Sequence, residues 1–117
     1  MGQFVRGDVV IINVPFSDGS GAKHRPALVI ARPSPDDLIL CPITATIHGG
    51  EFRVQIDARD FVVGGISRPA SEIKADFIFT ADHTTVRERA GKLREGPVAT
   101  VITKIKRLLD SQPPCTA

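Results

Sequence analysis

Apolar and polar positions change period several times along these 117 residues, and each change marks an expected element. Asp8-Val9-Val10-Ile11-Ile12-Asn13 is rich in β-branched residues and reads as a buried strand. It should stop at Pro15, which has no N–H for a ladder. Ser17 to His24 is small, polar and carries two glycines, so it reads as a loop. Pro26 to Ala31 predicts a second strand, and Pro33 to Asp36 a turn. Leu38 to Ile43 predicts a third, with Pro42 pushing its end towards an edge or bulge. From Glu51 to Asp57, Phe52, Val54 and Ile56 alternate with Arg53 and Gln55, the mark of a half-buried antiparallel strand. Ser71 to Thr80 alternates less cleanly but places Ile73, Ala75, Phe77 and Phe79 on one side. Asp82 can cap a single helical turn, and Val86 to Leu93 suits a short strand. Strands separated by short turns suggest a small barrel or sandwich.

The period then becomes helical. Val98, Val101, Ile102, Ile105, Leu108 and Leu109 recur at three- and four-residue spacing, forming one apolar stripe from about Pro97 to Asp110. Pro97 suits a first turn, and Lys104, Lys106 and Arg107 complement the C-terminal dipole. Residues 1–110 therefore read as a single, mainly β domain closed by a C-terminal helix, and 111–117 as a disordered tail.

Composition narrows the function class. At 42% hydrophobic and 24% charged residues the chain is neither a disordered tail nor a membrane protein. The longest apolar run, Ala27 to Ala31, is far short of a membrane span. Arg6, Gly7 and Asp8 leave no apolar targeting segment at the start. A chain this short has no room for a cofactor domain beside a substrate domain. Cys41 and Cys115 lack the spacing of a zinc or redox pair, so no metal and a reduced cytoplasmic setting are expected. The net charge of +2 is too mild to announce nucleic acid. Seven cations between Arg87 and Arg107 read mostly as a solvated face. Six Phe without Tyr or Trp argue against a broad aromatic platform.

The informative chemistry lies at Lys23-His24-Arg25-Pro26, where a polar loop runs into a buried strand. An Arg whose backbone is held by a sheet can aim paired N–H donors at a phosphate. The plainer role is to cover a barrel end or pair with an acid. At Pro42-Ile43-Thr44 a strand-end hydroxyl can donate to a phosphate oxygen or satisfy nearby backbone. His48 and His83 read as solvated turn residues.

Arg6-Gly7-Asp8-Val9-Val10, Pro15-Phe16-Ser17-Asp18, Arg25-Pro26-Ala27-Leu28-Val29-Ile30 and Pro42-Ile43-Thr44 occur in that order at short spacings. Ser71-Glu72-Ile73-Lys74-Ala75-Asp76 and Gly91-Lys92-Leu93 follow before the helix. From about Phe4 to Leu109 this ordered set resembles the MazF/PemK family of toxins from bacterial toxin–antitoxin pairs. The resemblance implies a small SH3-like β-barrel, usually a homodimer. It implies a metal- and cofactor-independent, sequence-specific endoribonuclease acting on single-stranded RNA. The substrate's own 2′-hydroxyl attacks, leaving a 2′,3′-cyclic phosphate and a 5′-hydroxyl.

On this resemblance the active-site Arg falls on Arg25 and the Thr on Thr44. Lys74 and Asp76 fall on further functional positions, with Lys74 standing where some relatives carry Arg. Asp76 or His24 can share the proton transfers with Arg25. Lys23, Asp18 and Ser20 are expected to contact RNA. A cognate antitoxin with an acidic segment would suit Lys23, Arg25 and Lys74 as well. The competing readings are a non-enzymatic poison like the gyrase-binding CcdB toxins, and an inactive barrel that binds RNA or a partner.

Overall fold

The computed structural model describes residues 3–115. Among the described residues eight strands precede one α-helix: β1 Asp8–Pro15, β2 Ala22–Ala31, β3 Asp37–Thr44, β4 Arg53–Asp57, β5 Phe61–Gly64, β6 Ala70–Lys74, β7 Phe79–Asp82 and β8 Glu88–Leu93, then α1 Glu95–Asp110. The sheet is antiparallel, in the order β4-β6-β3-β2-β1-β8-β5, with β7 also on β3. The fold is mainly β with a C-terminal helix, as expected. The hydrogen-bonded path, however, is open: among the described residues its end strands β4 and β5 do not pair.

The centre of the sheet is buried on both faces. Val9, Leu28, Cys41, Ile43, Ile73 and Phe61 form one cluster, completed by Val98 and Val101 of the helix. Val10, Ile12, Val14, Ala27, Val29, Leu38 and Leu40 form another. Neighbouring residues of β1 thus enter different clusters, which is why its sequence reads as a continuous apolar run rather than an alternation. Complete burial of Val101 contributes roughly 1.5 kcal/mol or more by area alone.

Several boundaries depart from the sequence pattern. β2 begins at Ala22, so Lys23, His24 and Arg25 are already strand residues, paired with Val14, Asn13 and Ile12. The hairpin with β1 closes tightly, Phe16 and Gly19 donating to Gly21 and Phe16 carbonyls, and this extends pairing into the polar segment. Gly19 has φ +77°, a conformation that suits glycine at this turn. Ser71 to Thr80 is not one strand: β6 ends at Lys74, a turn at Ala75 and Asp76 intervenes, and β7 begins at Phe79. β5 has no alternation that would announce it, since Val62 and Val63 are both exposed and the pairing with β8 slips between Phe61 and Val63.

Pro42 lies inside β3, in register with Ala27. It stands where the outer edge of β3 changes partner, from β7 (Asp37–Leu40) to β6 (Ile43 and Thr44). A missing N–H is tolerated at that switch. Asp82 accepts the Thr84 N–H at 2.8 Å and caps the single turn His83–Thr85. The helix starts at Glu95, two residues before Pro97, and its stripe is buried only in part: Leu109 is exposed. Residues 113–115 have no regular secondary structure, and the expected disorder at 116 and 117 falls outside the described residues.

Much of the cationic run is held by the protein. Arg89 bonds the buried Asp8 carboxylate at 3.3 Å and stacks 5.0 Å from the Phe4 ring centroid. Arg94 donates to the Arg59 carbonyl, and Lys104 to that of Glu51.

Candidate active site

Strand register assembles the site. Arg25 faces the same side as its partner Ile12, and two positions on Ala27 pairs with Pro42. Continuing that register by two residues brings Arg25 opposite Thr44. Thr44 in turn pairs with Glu72 of β6, and Lys74 of β6 with Arg53 of β4. One face of three strands therefore carries Arg25, Thr44, Glu72 and Lys74. All side chains two apart on a strand share a face, so this follows from alternation alone.

A pocket of about 160 Å³ opens there. Arg25, Thr44 and Lys74 line it, together with Asp18 and Ser17 from the β1–β2 hairpin. Phe16 and Phe77 line it as well, Phe77 meeting Phe79 edge-on at 6.2 Å. Arg25 is half-buried and forms no ion pair or side-chain hydrogen bond among the described residues. The same holds for Lys74. Two cations without a direct ion-pair partner thus face one cavity, with the Asp18 carboxylate at its wall. Thr44 is 7% exposed and its Oγ1 accepts the Thr46 N–H at 3.2 Å, which leaves its own proton to donate.

The remaining candidates separate. Lys23 is exposed and, two residues from Arg25, shares its face. Ser20 donates its N–H to Asp18 at 2.9 Å, and the hydrogen bonds from Ser20 hold the Asp18 carboxyl below its ordinary range. His24 is exposed, but strand alternation turns it to the opposite face from Arg25. Asp76 does not line the pocket; its carboxylate lies 3.3 Å from the Arg53 guanidinium. Neither His24 nor Asp76 is therefore brought to the two cations.

Sequence pattern alone missed Glu72, Arg53, Phe16 and Phe77. Glu72 is 1% exposed and accepts three bonds: from the His48 N–H at 3.2 Å, the Gly49 N–H at 2.7 Å and Arg53 at 3.1 Å. Burial pushes its carboxyl upward, but the Gly49 N–H, Arg53 and the His48 N–H outweigh this and hold it below the ordinary value of 4.5. Alternation did not announce it: Glu72 and Lys74 fall on the face opposite Ile73 and Ala75, where charge is expected. Cys41 is buried away from the pocket, and burial pushes its thiol up to about 12. Among the described residues no cluster of three or more His, Cys, Asp or Glu is placed to hold a metal ion. No helix among them is long and apolar enough to cross a membrane.

The chain resembles known proteins in sequence and in fold. Residues 5–109 match the family described as PemK-like, MazF-like toxin of type II toxin–antitoxin system. No curated protein matches the sequence. The fold is similar to that of MazF (Form-I) from Deinococcus radiodurans, at a TM-score of 0.74 and 24% identity, covering 94% of this chain and 99% of that one. It is similar to an endoribonuclease from Mycobacterial species, at 0.70 and 18% identity, covering 97% and 98%. It is also similar to an endoribonuclease in complex with its cognate antitoxin from Mycobacterial species, at 0.66 and 20%, covering 96% and 100%.

Proposed function

We propose that this chain, which belongs to the PemK-like, MazF-like toxin family of type II toxin–antitoxin systems, cleaves single-stranded RNA at the pocket between Arg25, Thr44 and Lys74. The observation that carries the reading is the pair of cations without an ion-pair partner, Arg25 and Lys74, facing one small cavity beside a buried hydroxyl with a proton to give. Such a cavity suits a phosphodiester. Attack by the adjacent ribose 2′-oxygen, which gives its proton to water, forms the new P–O bond; the 5′-oxygen departs with the bonding pair and takes a proton from water to become the hydroxyl. Negative charge grows on the non-bridging oxygens as this happens. Fixed cations and a preset hydroxyl stabilise that charge more than they stabilise the ground state.

Arg25 supplies paired donors to the phosphate, Thr44 orients it, and Lys74 adds a second positive charge. Phe16 and Phe77 offer faces against which unstacked bases can rest. Lys23 extends the cationic surface towards the next phosphate. The step uses the substrate's own nucleophile, and the products are a 2′,3′-cyclic phosphate and a 5′-hydroxyl. Homodimer assembly and action in the cytoplasm belong to the same reading. So does silencing by an antitoxin, whose acidic segment would compete with RNA for the same cations. The endoribonuclease named above that was solved with its cognate antitoxin supports this partner.

The test is to incubate purified protein with a long single-stranded RNA in EDTA and map the ends. Cleavage should leave 5′-hydroxyls and stop when the nucleotide 5′ of the cut is 2′-deoxy. Absence of cutting, or equal cutting of the deoxy substrate, would sink the proposal. Growth arrest that survives Arg25→Ala without RNA cleavage would point to a protein target.

A further inference from the structure

Lys74 is flanked two residues away on each side by a carboxylate, Glu72 and Asp76. Either is a natural partner for its amine, and a paired Lys74 would present little positive charge to the pocket. Neither takes it. Both carboxylates are drawn to one residue: Arg53 Nη1 lies 3.1 Å from Glu72 and its Nε 3.3 Å from Asp76. Arg53 is the register partner of Lys74 in the β4–β6 ladder, so it is the nearest alternative cation the sheet can offer. Its flat fork can serve two carboxylates at once, which an ammonium on a flexible stem does poorly. Glu72 then uses its other oxygen on the His48 and Gly49 N–H groups, which anchors the segment that follows Thr44.

We propose that Arg53 is a positioning residue that keeps Lys74 available for phosphate by holding Glu72 and Asp76 away from it. This rests on the reading of the pocket as an RNA phosphate site. Arg53 does not line the pocket, so it acts through its neighbours.

The test is a double-mutant cycle on binding of a single-stranded oligonucleotide made uncleavable by 2′-deoxy substitution, measured across a salt series. Arg53→Gln should weaken binding and lower the slope of log affinity against log salt by about 0.7, the equivalent of one phosphate contact. Adding Asp76→Asn should recover much of the loss. The same Asp76→Asn change in the Arg53 background should gain far less. Equal gains in both backgrounds would overturn the proposal, because then Asp76 acts only as a distant negative charge. Arg53→Gln strands a buried carboxylate and can unfold the protein. The Glu72→Gln, Arg53→Gln pair removes that burden and should still bind weakly until Asp76→Asn is added.

A second measurement does not depend on RNA. In a crystal structure of the Arg53→Gln protein, or of the neutral pair if the single variant does not fold, the Lys74 amine should lie within about 4 Å of a neighbouring carboxylate. A Lys74 that stays unpaired there refutes the clamp. If the wild-type protein binds no RNA while Lys74 does move onto a carboxylate, the clamp stands and the RNA reading falls.

Discussion

Arg25→Ala separates a catalytic cation from a structural one. Arg25 is half-buried, carries no ion pair or side-chain hydrogen bond among the described residues, and shares its pocket with Lys74. Truncating it removes no stabilising polar contact from the fold. Lys74 and Asp18 line the same pocket and act on its charge in opposite senses, so the melting temperature should change little. The reaction should respond strongly. Losing one preset donor to a developing oxyanion typically costs 10²- to 10³-fold in turnover, about 2.7–4 kcal/mol. Because Lys74 remains, cleavage should be slowed to that extent and not abolished. Arg25→Lys should recover part of the rate, since it restores charge without the fork. The assay is single-turnover cleavage of a fluorogenic RNA oligonucleotide in EDTA, with thermal melts of the same samples. An unchanged rate refutes the assignment. A rate loss that tracks a fall in melting temperature refutes the argument that Arg25 adds nothing to the fold.

Other features make independent predictions. The Glu72 carboxyl is held below its ordinary value in the folded state, so the unfolded chain binds its proton first as pH falls. Its contribution is therefore complete above about pH 4.5 and is lost progressively below that; urea unfolding from pH 6 to 3 should show it, and Glu72→Gln should flatten the decline. Cys41 is fully buried with its thiol pushed up to about 12, whereas Cys115 is exposed. An alkylating reagent at pH 8 should modify one thiol in the native protein and two after denaturation; two native thiols reacting quickly would contradict the burial. At Gly91 an added Cβ would come within 2.5 Å of the Val63 carbonyl oxygen, where β8 approaches β5. Gly91→Ala should cost roughly 1–3 kcal/mol in denaturant unfolding, and a neutral result would mean the two strands sit farther apart.

The parts legible in the sequence were those governed by local pattern. The β-branched run at Val9–Ile12 and the stripe from Val98 to Ile105 announced β1 and α1, because burial of a face leaves a period behind. β5 was not legible: two exposed valines and a slipped register leave no period. Arg25 and Thr44 stood out in the sequence by their place at strand ends and by the family resemblance, and the structure puts both on one pocket. What could not be read was partner choice. Asp76 is an unremarkable turn acid in sequence, and only β4 lying next to β6 gives it Arg53. His24 shows the converse. It is adjacent to Arg25 along the chain, but extension of β2 through Lys23 turns it to the other face.

The chain order of the pocket also bears on when it can form. Its lining runs from Val14 to Phe77, and the cluster beneath the sheet is not complete until Val98 and Val101 arrive with α1. A nascent chain that has released only β1 to β3 from the ribosome holds Arg25 and Thr44 but lacks Lys74, Glu72 and Arg53. The two halves of the site are joined by pairing across about thirty residues, which is among the slower steps a small β protein takes. The machinery that makes the protein is thus exposed to a finished pocket only after synthesis of nearly the whole chain, and an antitoxin has that interval in which to be present.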